Sequence, residues 1–309
     1  MRAALTGLRR LALVAALLAL LVGLGNRPAP EAQRLPGLDV LVAVDRTTSM
    51  SALDDPSGSR LTAVRRDLTR LGELLDSASF SLVTFGQSTT VALPFTTDRV
   101  AYDDAVRKLQ VEEPTAGTGS SVGRPVSFLT DELDRTAKAE DLDRRQAEDR
   151  VRVLVLVTDG ENTSPEPQAS FAPIADRIDA GVVLGFGTVA GGVMPLERVP
   201  VGEAPPPADA PGRVITVSGT GADAVSHLDP ANLGLIAGQL GVAYVPADAS
   251  LDLPALAASL ENAAYADLPP VEPERELRWL WALLVLALAL PELRLGWRAL
   301  VESLREGRR

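Results

Sequence analysis

Three short polar segments of the sequence combine carboxylates and hydroxyls and contain no Cys or His. Asp45, Thr47 and Ser49 alternate along the first segment, so their side chains point the same way in an extended or loosely turned chain. The second segment contains Asp159, and the third places Thr118 between two glycines. Hard oxygen groups suit Mg²⁺, Mn²⁺ or Ca²⁺, and so few carboxylates leave the coordination shell open to water or to a partner's oxygen.

The composition excludes several other kinds of site. The chain has no Cys and a single His, His227, which rules out disulfide frameworks, thiolate zinc sites, Cys nucleophiles and His-based metal cages within one chain. The net charge of −11 argues against nucleic acid as a partner, because phosphate contacts need clustered Lys and Arg. We therefore expect no nucleic-acid binding, and a structural or exposed role for His227.

Apolar runs of strand length alternate along the chain with segments of helical periodicity. The predicted strands span 38–44, 80–85, 89–95, 151–157, 182–189, 214–217 and 243–245. The predicted helices span 60–75, 98–109, about 122–148, 171–180, 231–240 and 254–264. This alternation predicts an α/β fold, with a doubly wound, mostly parallel sheet that carries helices on both faces.

Two of the polar segments follow strands of this predicted sheet. Asp45 comes directly after the first strand, and Asp159 comes after the most apolar strand of the chain. Ligands of open α/β sheets bind beyond the carboxyl ends of the strands, so we expect the two carboxylates to meet at that edge. At its strand tip, Asp159 is expected to face solvent.

The two ends of the chain have the composition of membrane segments. Residues 1–37 place an uncharged run after several Arg residues, which predicts a membrane anchor or a cleaved signal segment, followed by a linker. Residues 277–309 contain every Trp of the chain. Trp279 and Trp297 would lie about 27 Å apart along a helix, close to one hydrocarbon thickness.

These features predict the domain organisation. A globular domain spans 38–265, a linker spans 266–276, and a transmembrane helix with a basic tail spans 277–309, a surface-lying helix being the alternative for this last segment. Arg clusters at both ends favour cytoplasmic termini if the N-terminal segment is uncleaved. The globular domain then lies on the extracytoplasmic side of the cell membrane.

The polar segments, AVDRTTSM, TAGTGSSVG and VLVTDGEN, resemble the loops of a von Willebrand factor type A (VWA) domain with a metal-ion-dependent adhesion site (MIDAS). The family motif is Asp-x-Ser-x-Ser, then a Thr, then Asp-Gly. Its five positions are occupied here by Asp45, Thr47, Ser49, Thr118 and Asp159. Thr47 stands where Ser is usual and keeps the hydroxyl. The resemblance covers about 38–265 and implies Mg²⁺ as the cofactor, with Mn²⁺ or Ca²⁺ as alternatives.

The resemblance implies recognition of a partner rather than catalysis. Thr47, Ser49 and Thr118 would bind the metal directly, Asp45 and Asp159 directly or through water, and an acidic side chain of a protein partner would take the open position. The membrane segments and the stretch VSHLDPANLGLIAGQLGVAYVPA are similar to bacterial Bat-type (aerotolerance-operon) membrane proteins. That similarity implies an envelope complex linked to a MoxR-type AAA+ ATPase.

Two other functions remain open from the sequence. A VWA domain that binds no metal would act as a scaffold subunit. A Mg²⁺-dependent phosphatase of the haloacid-dehalogenase type would need a second Asp at the position of Thr47, and both Lys108 and Lys138 lie in predicted helices away from the polar segments. The sequence also lacks the G-x-S-x-G pattern of serine hydrolases. We therefore expect no enzymatic activity.

Overall fold

The computed structural model describes residues 2–22, 37–113, 119–142, 150–195, 214–217, 220–266 and 278–306. The chain divides into two compact units, of which one combines Met1–Leu35 with Pro269–Arg309 and the other is Pro36–Leu268. Thr118 and most of both predicted linkers lie outside the described residues.

The second unit contains most of the helices and strands, and the first contains a helix from each end of the chain. In chain order the elements are α1 (Arg2–Val22), β1 (Gly37–Asp45), α2 (Arg60–Leu74), β2 (Ser79–Phe85), β3 (Thr90–Thr96), α3 (Arg99–Arg107), α4 (Val126–Leu142), β4 (Arg150–Thr158), α5 (Ala172–Ala175), β5 (Ala180–Gly185), β6 (Gly192–Val193), β7 (Val225–Ser226), α6 (Pro230–Leu240), β8 (Ala243–Pro246), α7 (Leu253–Ala264) and α8 (Arg278–Glu306).

The main sheet has six strands in the order β3-β2-β1-β4-β5-β8. All neighbouring pairs are parallel except β2 and β3, which are antiparallel at one edge. The predicted doubly wound, mostly parallel α/β fold is therefore confirmed. The remaining two strands, β6 and β7, form a small antiparallel sheet of their own.

The central strands are buried on both faces, which explains their almost continuous apolar sequence. Successive side chains of a strand point to opposite faces. On β1, Val42 and Val44 accordingly join one apolar core, whereas Leu41 and Ala43 join another. Residues of α2, α3 and α7 complete the first core, and residues of α4, α5 and α6 complete the second.

The order of the strands reverses between β1 and β4. The chain continues from β1 to β2 and β3 on one side, and from β4 to β5 and β8 on the other. Loops that leave neighbouring strands in opposite directions open a crevice at the carboxyl ends of those strands. Asp45 is the last residue of β1, and Asp159 directly follows β4. Both carboxylates therefore lie at this crevice.

Two helix predictions need correction. The helix predicted over 171–180 is reduced to the four residues of α5, because Ala180 already begins β5 and pairs with Val153. The helix predicted from residue 122 begins only at Val126, after a turn in which the Val126 N–H donates to the Gly123 carbonyl. The predicted end of that helix lies outside the described residues.

Two strand predictions were also wrong. The strand predicted to reach Val189 ends at Gly185, because the neighbouring strand β4 also ends there, at Thr158, whose carbonyl accepts the Phe186 N–H. The strand predicted over 214–217 does not join the main sheet and forms only single bridges, to Pro195 and to Asp223. The sequence pattern indicates an extended chain there but does not define its pairing partner.

One helix of the described residues is long and apolar enough to cross a membrane. It is α8, in which an 18-residue stretch of Trp279–Arg305 has a mean hydropathy of 1.6. Pro291 lies inside this helix without ending it. The finding supports the membrane segment predicted at the C-terminus.

Candidate metal site

The chain turns immediately after β1 and brings two hydroxyl groups together. Thr47 precedes a 3₁₀ turn, Thr48–Ser51, and the Oγ1 atom of Thr47 lies 2.9 Å from the Oγ atom of Ser49. The backbone N–H of Thr47 donates to Oδ1 of Asp45 at 2.8 Å. The carboxylate and the two hydroxyls therefore converge as their spacing predicts, although a tight turn and not an extended chain brings them together.

Asp45 is held in place by donors on both of its oxygens. Besides the Thr47 N–H on Oδ1, the Thr158 hydroxyl donates to Oδ2 at 2.6 Å. The side chain is buried, with 2% of the residue exposed. Burial and the nearby charge of Asp159 raise the pKa of Asp45 to about 7, against the opposing effect of the hydrogen bonds from Thr158 and Thr47.

Asp159 does not face solvent, contrary to the prediction from its position at a strand tip. Only 1% of the residue is exposed. Its Oδ1 accepts the Glu161 N–H at 2.9 Å, and its Oδ2 accepts from Nη1 of Arg60 at 2.8 Å. Burial raises the pKa of Asp159, while the Arg60 charge and a hydrogen bond from Ser49 oppose the rise. The loops that pack over the strand tip are distant in sequence, so the motif alone could not reveal this burial.

Arg60 is the functional candidate that sequence reasoning missed. It is the first residue of α2 and is fully buried. In addition to Asp159, its guanidinium binds both oxygens of Asp54, at 2.8 and 2.7 Å, and the hydroxyl and carbonyl of Ser226. A helical pattern places Arg60 at the polar start of a helix after the Ser59 cap, and nothing in the sequence marks it as buried.

The surroundings of Arg60 are shaped to hold a charged group. Burial alone would raise the pKa of Asp54, but hydrogen bonds from Arg60 and from the Thr188 N–H outweigh burial and lower it. Gly187 has a φ of +116°, and a Cβ atom there would lie 2.4 Å from Nε of Arg60. Glycine is therefore needed at this position both for the backbone conformation and for the close approach of Arg60.

Glu161 adds a third carboxylate beside the crevice. Its Oε2 accepts the Ser226 hydroxyl at 2.6 Å. Partial burial raises the pKa of Glu161, and the charge of Asp159 raises it further. The turn that carries Glu161 depends on Gly160, whose φ is +76° and whose position has no room for a Cβ atom against Leu233.

The third polar loop is described only from Gly119 onward, so the position of Thr118 is outside the described residues. The Ser120 N–H donates to Oγ1 of Thr163 at 2.9 Å, and the Thr163 N–H donates to the Ser120 carbonyl at 2.9 Å. These two bonds tie the end of the third loop to the segment after β4. Ser120 therefore lies beside the segment that follows Asp159.

A cleft of about 270 Å³ opens over these groups. Its polar lining includes Thr47, Ser49 and Glu161, and its apolar lining comes from the segment between β5 and α6. The full lining is Thr47, Thr48, Ser49, Gln87, Glu112, Gly119, Ser120, Glu161, Thr163, Met194, Ile215 and Val225. The hydroxyl pair is thus accessible from a cavity, although both side chains are nearly buried.

The sequence of this region matches a known family. Residues 40–161 fit the sequence model of the von Willebrand factor type A domain, a segment that includes β1, β4 and the polar residues after each. The central domain has the VWA fold. The matched family is one of binding and scaffold domains, not of enzymes, in agreement with the expectation of a non-catalytic protein.

Solved structures and a curated relative extend this comparison. The chain is similar to the conserved hypothetical protein BatB from Bacteroides thetaiotaomicron, with a TM-score of 0.54 and 22% identity over 74% of this chain and 99% of that one. It is also similar to an aerotolerance-related membrane protein from Bacteroides fragilis, with a TM-score of 0.52 and 20% identity over 74% of this chain and all of that one. At these identities the similarity shows the shared fold.

An uncharacterized protein from Borreliella burgdorferi is 24% identical over 130 residues, which are 42% of this chain. The match spans 34% of that relative's own length.

The donor set of the VWA domain fits a hard divalent cation. Thr47 and Ser49 offer neutral oxygens between two buried carboxylates, an arrangement that suits Mg²⁺, Mn²⁺ or Ca²⁺. Within the described part of the chain, no three His, Cys, Asp or Glu side chains are grouped closely enough to hold a metal ion. A cation at this site therefore depends on the hydroxyl groups as well as the carboxylates.

Three further residues that the sequence singled out, Lys108, Lys138 and His227, do not line the cleft. Lys108 pairs with Asp104 at the end of α3, and Lys138 is exposed on α4. Neither lysine lies against the cleft, which leaves a phosphatase without a lysine for its phosphate. His227 is exposed and hydrogen-bonds the Val189 carbonyl through Nδ1.

Proposed function

We propose that the VWA domain binds an acidic side chain of a protein partner through a divalent cation, Mg²⁺ or alternatively Mn²⁺ or Ca²⁺. The observation that carries this proposal is the hydroxyl pair of Thr47 and Ser49, 2.9 Å apart at the floor of the cleft. Two buried carboxylates, those of Asp45 and Asp159, flank the pair and supply the negative charge that a cation needs.

The hydrogen bonds suggest a separate role for each kind of ligand. Asp45 and Asp159 accept protein donors on all four carboxylate oxygens, which favours contact with the metal through water. The hydroxyls of Thr47 and Ser49 are then the direct ligands. By resemblance to the family motif, Thr118 supplies the third hydroxyl.

The partner's carboxylate completes the coordination shell. The chain carries a net charge of −11, so an acidic partner is repelled at long range and bound only where the cation reverses the local field. The bound cation therefore provides the attraction that allows an acidic partner to bind. Binding of the partner should be lost when the metal is removed.

The two ends of the chain support a membrane setting for this function. α8 anchors the protein in the cell membrane, and the Arg clusters favour cytoplasmic termini with the VWA domain on the extracytoplasmic side. By similarity to Bat-type proteins, the domain would work in an envelope complex linked to a MoxR-type AAA+ ATPase.

The metal is tested by thermal unfolding of the full chain in detergent, followed by calorimetry. Mg²⁺ or Mn²⁺ at a hundredfold excess over Kd should raise the free energy of unfolding by about 2.7 kcal/mol, and EDTA should reverse the gain. Thr47→Val keeps the side-chain shape but removes the hydroxyl, so it should abolish the gain. Thr47→Ser keeps the hydroxyl and should retain it.

The partner is tested by copurification from detergent-solubilised membranes. Proteins retained by the wild-type chain in Mg²⁺ should elute with EDTA and be absent with Thr47→Val. The same proteins should copurify with Thr47→Ser. Retention that ignores both EDTA and the missing hydroxyl would contradict the adhesion mechanism.

A metal-free scaffold is the second candidate, and one observation favours it. Arg60 already places a positive charge 2.8 Å from Asp159, so the site has a built-in cation without any metal. A wild-type chain that shows no metal-dependent stabilisation, yet copurifies with its partner in EDTA, would support the scaffold.

A further inference from the structure

Helix α8 has one partly buried face along its apolar half. The partly buried residues Trp281, Val285, Leu288 and Glu292 are spaced by four, three and four positions, which places them on one side of a helix. Large apolar side chains on the other sides are exposed, among them Leu283, Leu284, Leu286 and Leu290. The covered face must therefore pack against another element.

Helix α1 has the matching face, and the two helices pack against each other within one unit. Arg9 and Leu13 are partly buried and Ala16 is buried, whereas Val14 and Leu17 are exposed. Positions 9, 13 and 16 again lie on one side of a helix. The small side chain of Ala16 permits the close backbone approach that packing between membrane helices favours.

A cluster of three charges closes one end of this contact. Oε1 of Glu292 accepts from Nε of Arg9 at 3.1 Å, and Oε2 of Glu292 accepts from Nη2 of Arg10 at 3.1 Å. Glu292 lies within the long apolar helix, where an unpaired carboxylate is costly. Arg9 and Arg10 therefore compensate the charge of Glu292, in addition to preceding the apolar segment of α1.

The buried positions also fix the relative direction of the helices. On α8 they extend from Glu292 toward the N-terminus of the helix, and on α1 they extend from Arg9 toward the C-terminus. With Arg9 beside Glu292, these faces meet only if the helices are antiparallel. An antiparallel pair places both chain termini on the same side of a membrane.

We propose that α1 is retained in the mature protein as the first half of a transmembrane hairpin with α8, fastened by Arg9, Arg10 and Glu292. A cleaved signal segment needs no partner, whereas α1 carries a face and a charge pair matched to α8. Cleavage after α1 would remove Arg9 and Arg10, the two arginines that bind Glu292, and would expose the covered face of α8. This inference does not depend on the metal site.

The first test is the intact mass of the full chain purified from membranes. The expected mass includes the residues of α1. A mass that lacks the residues of α1 would overturn the proposal.

The second test uses pairs of introduced cysteines, because the chain has no Cys of its own. A protease site inserted within residues 196–213 lets the two halves separate on a gel unless a disulfide joins α1 to α8. Ala16→Cys with Val285→Cys, one pair on the covered faces, should cross-link in high yield. Leu17→Cys with Leu286→Cys, on exposed faces, is the matched control, and equal yields for the two pairs would overturn the hairpin.

The charge cluster is tested in the background of the Ala16→Cys and Val285→Cys pair. Glu292→Arg should lower the cross-linking yield several-fold, because three arginines would then face one another. Adding Arg9→Glu should restore most of the yield, while Arg10 keeps its charge. A yield that is the same in all three proteins would show that the cluster does not fasten the helices.

Discussion

Two Arg–carboxylate clusters occupy different environments in this protein. In the VWA domain one arginine, Arg60, serves two carboxylates, and all three side chains are at most 4% exposed. In the helix pair one carboxylate, Glu292, serves two arginines. There Glu292 is 20% exposed, Arg9 25% and Arg10 70%.

The two clusters have net charges of opposite sign. In the buried cluster, the single positive charge of Arg60 faces the two negative charges of Asp54 and Asp159, so the net charge is −1. Asp45 adds a further carboxylate nearby. A buried net negative charge favours a bound cation. The helix cluster has a net charge of +1, because one carboxylate pairs with two arginines. The same kind of ion pairing thus leaves a net negative charge in one region and a net positive charge in the other.

The largest effect is expected from Arg60→Met, which removes the cation of the buried cluster. Asp54 and Asp159 would be left buried without their partner, so the free energy of unfolding should fall by about 3–5 kcal/mol. Thermal unfolding of the full chain in detergent measures the loss. Arg70→Met is the control, because Arg70 and Glu73 form an exposed pair whose loss should cost little.

Asp159→Asn should also destabilise the metal-free protein, by about 1–3 kcal/mol. The fully buried Arg60 would keep only Asp54 as an anionic partner, and this loss should exceed the relief of repulsion between Asp159 and Asp45. The same unfolding experiment applies. Glu73→Gln, at an exposed position, serves as the control, and an unchanged stability of Asp159→Asn would mean that Arg60 does not depend on this carboxylate.

A comparison of two glycines isolates the space that Arg60 needs. Gly187 and Gly58 both have positive φ, +116° and +122°, but only at Gly187 would a Cβ atom meet the Arg60 guanidinium. Gly187→Ala should therefore cost about 1 kcal/mol more than Gly58→Ala, since both carry similar backbone strain. Unfolding of the two variants side by side provides the measurement.

The smallest effect is expected in the helix cluster, from Arg10→Gln. Arg10 is mostly exposed, so its removal should reduce cross-linking between positions 16 and 285 only slightly, and less than Arg9→Gln does. Raising the salt concentration should weaken the contribution of Arg10 more than that of Arg9. A larger loss with Arg10→Gln would reverse the assigned order of the two arginines.

The fold was largely predictable from local sequence. Buried parallel strands are continuous apolar runs, and the helices repeat their apolar residues with their own period, so β1, β4, α2 and α6 were found close to their observed ends. The length of α5 was overestimated, because Ala180, the predicted end of the helix, is already the first residue of β5 and pairs with Val153. The bridges from residues 214–217 to Pro195 and Asp223 were missed because a local pattern does not identify the pairing partner of an extended segment.

The candidate site was predictable only in part. Asp45, Thr47 and Ser49 could be found because their spacing is local, and the β4 loop because its strand is so apolar. The burial of Asp159 and the position of Arg60 beside it depend on loops that are far apart in sequence. No local pattern distinguishes an arginine at an exposed helix start from one that reaches under a loop.

The sequence by itself determined which residue types follow each strand, the length of the apolar end segments and the sign of the charge at each end. Tertiary structure alone decided which of those groups meet. It placed Arg60 against Asp159, and it brought Arg9 and Arg10 against Glu292. The physical reason is that secondary structure follows from neighbours along the chain, whereas the pairing of charges depends on which distant segments pack together and exclude water.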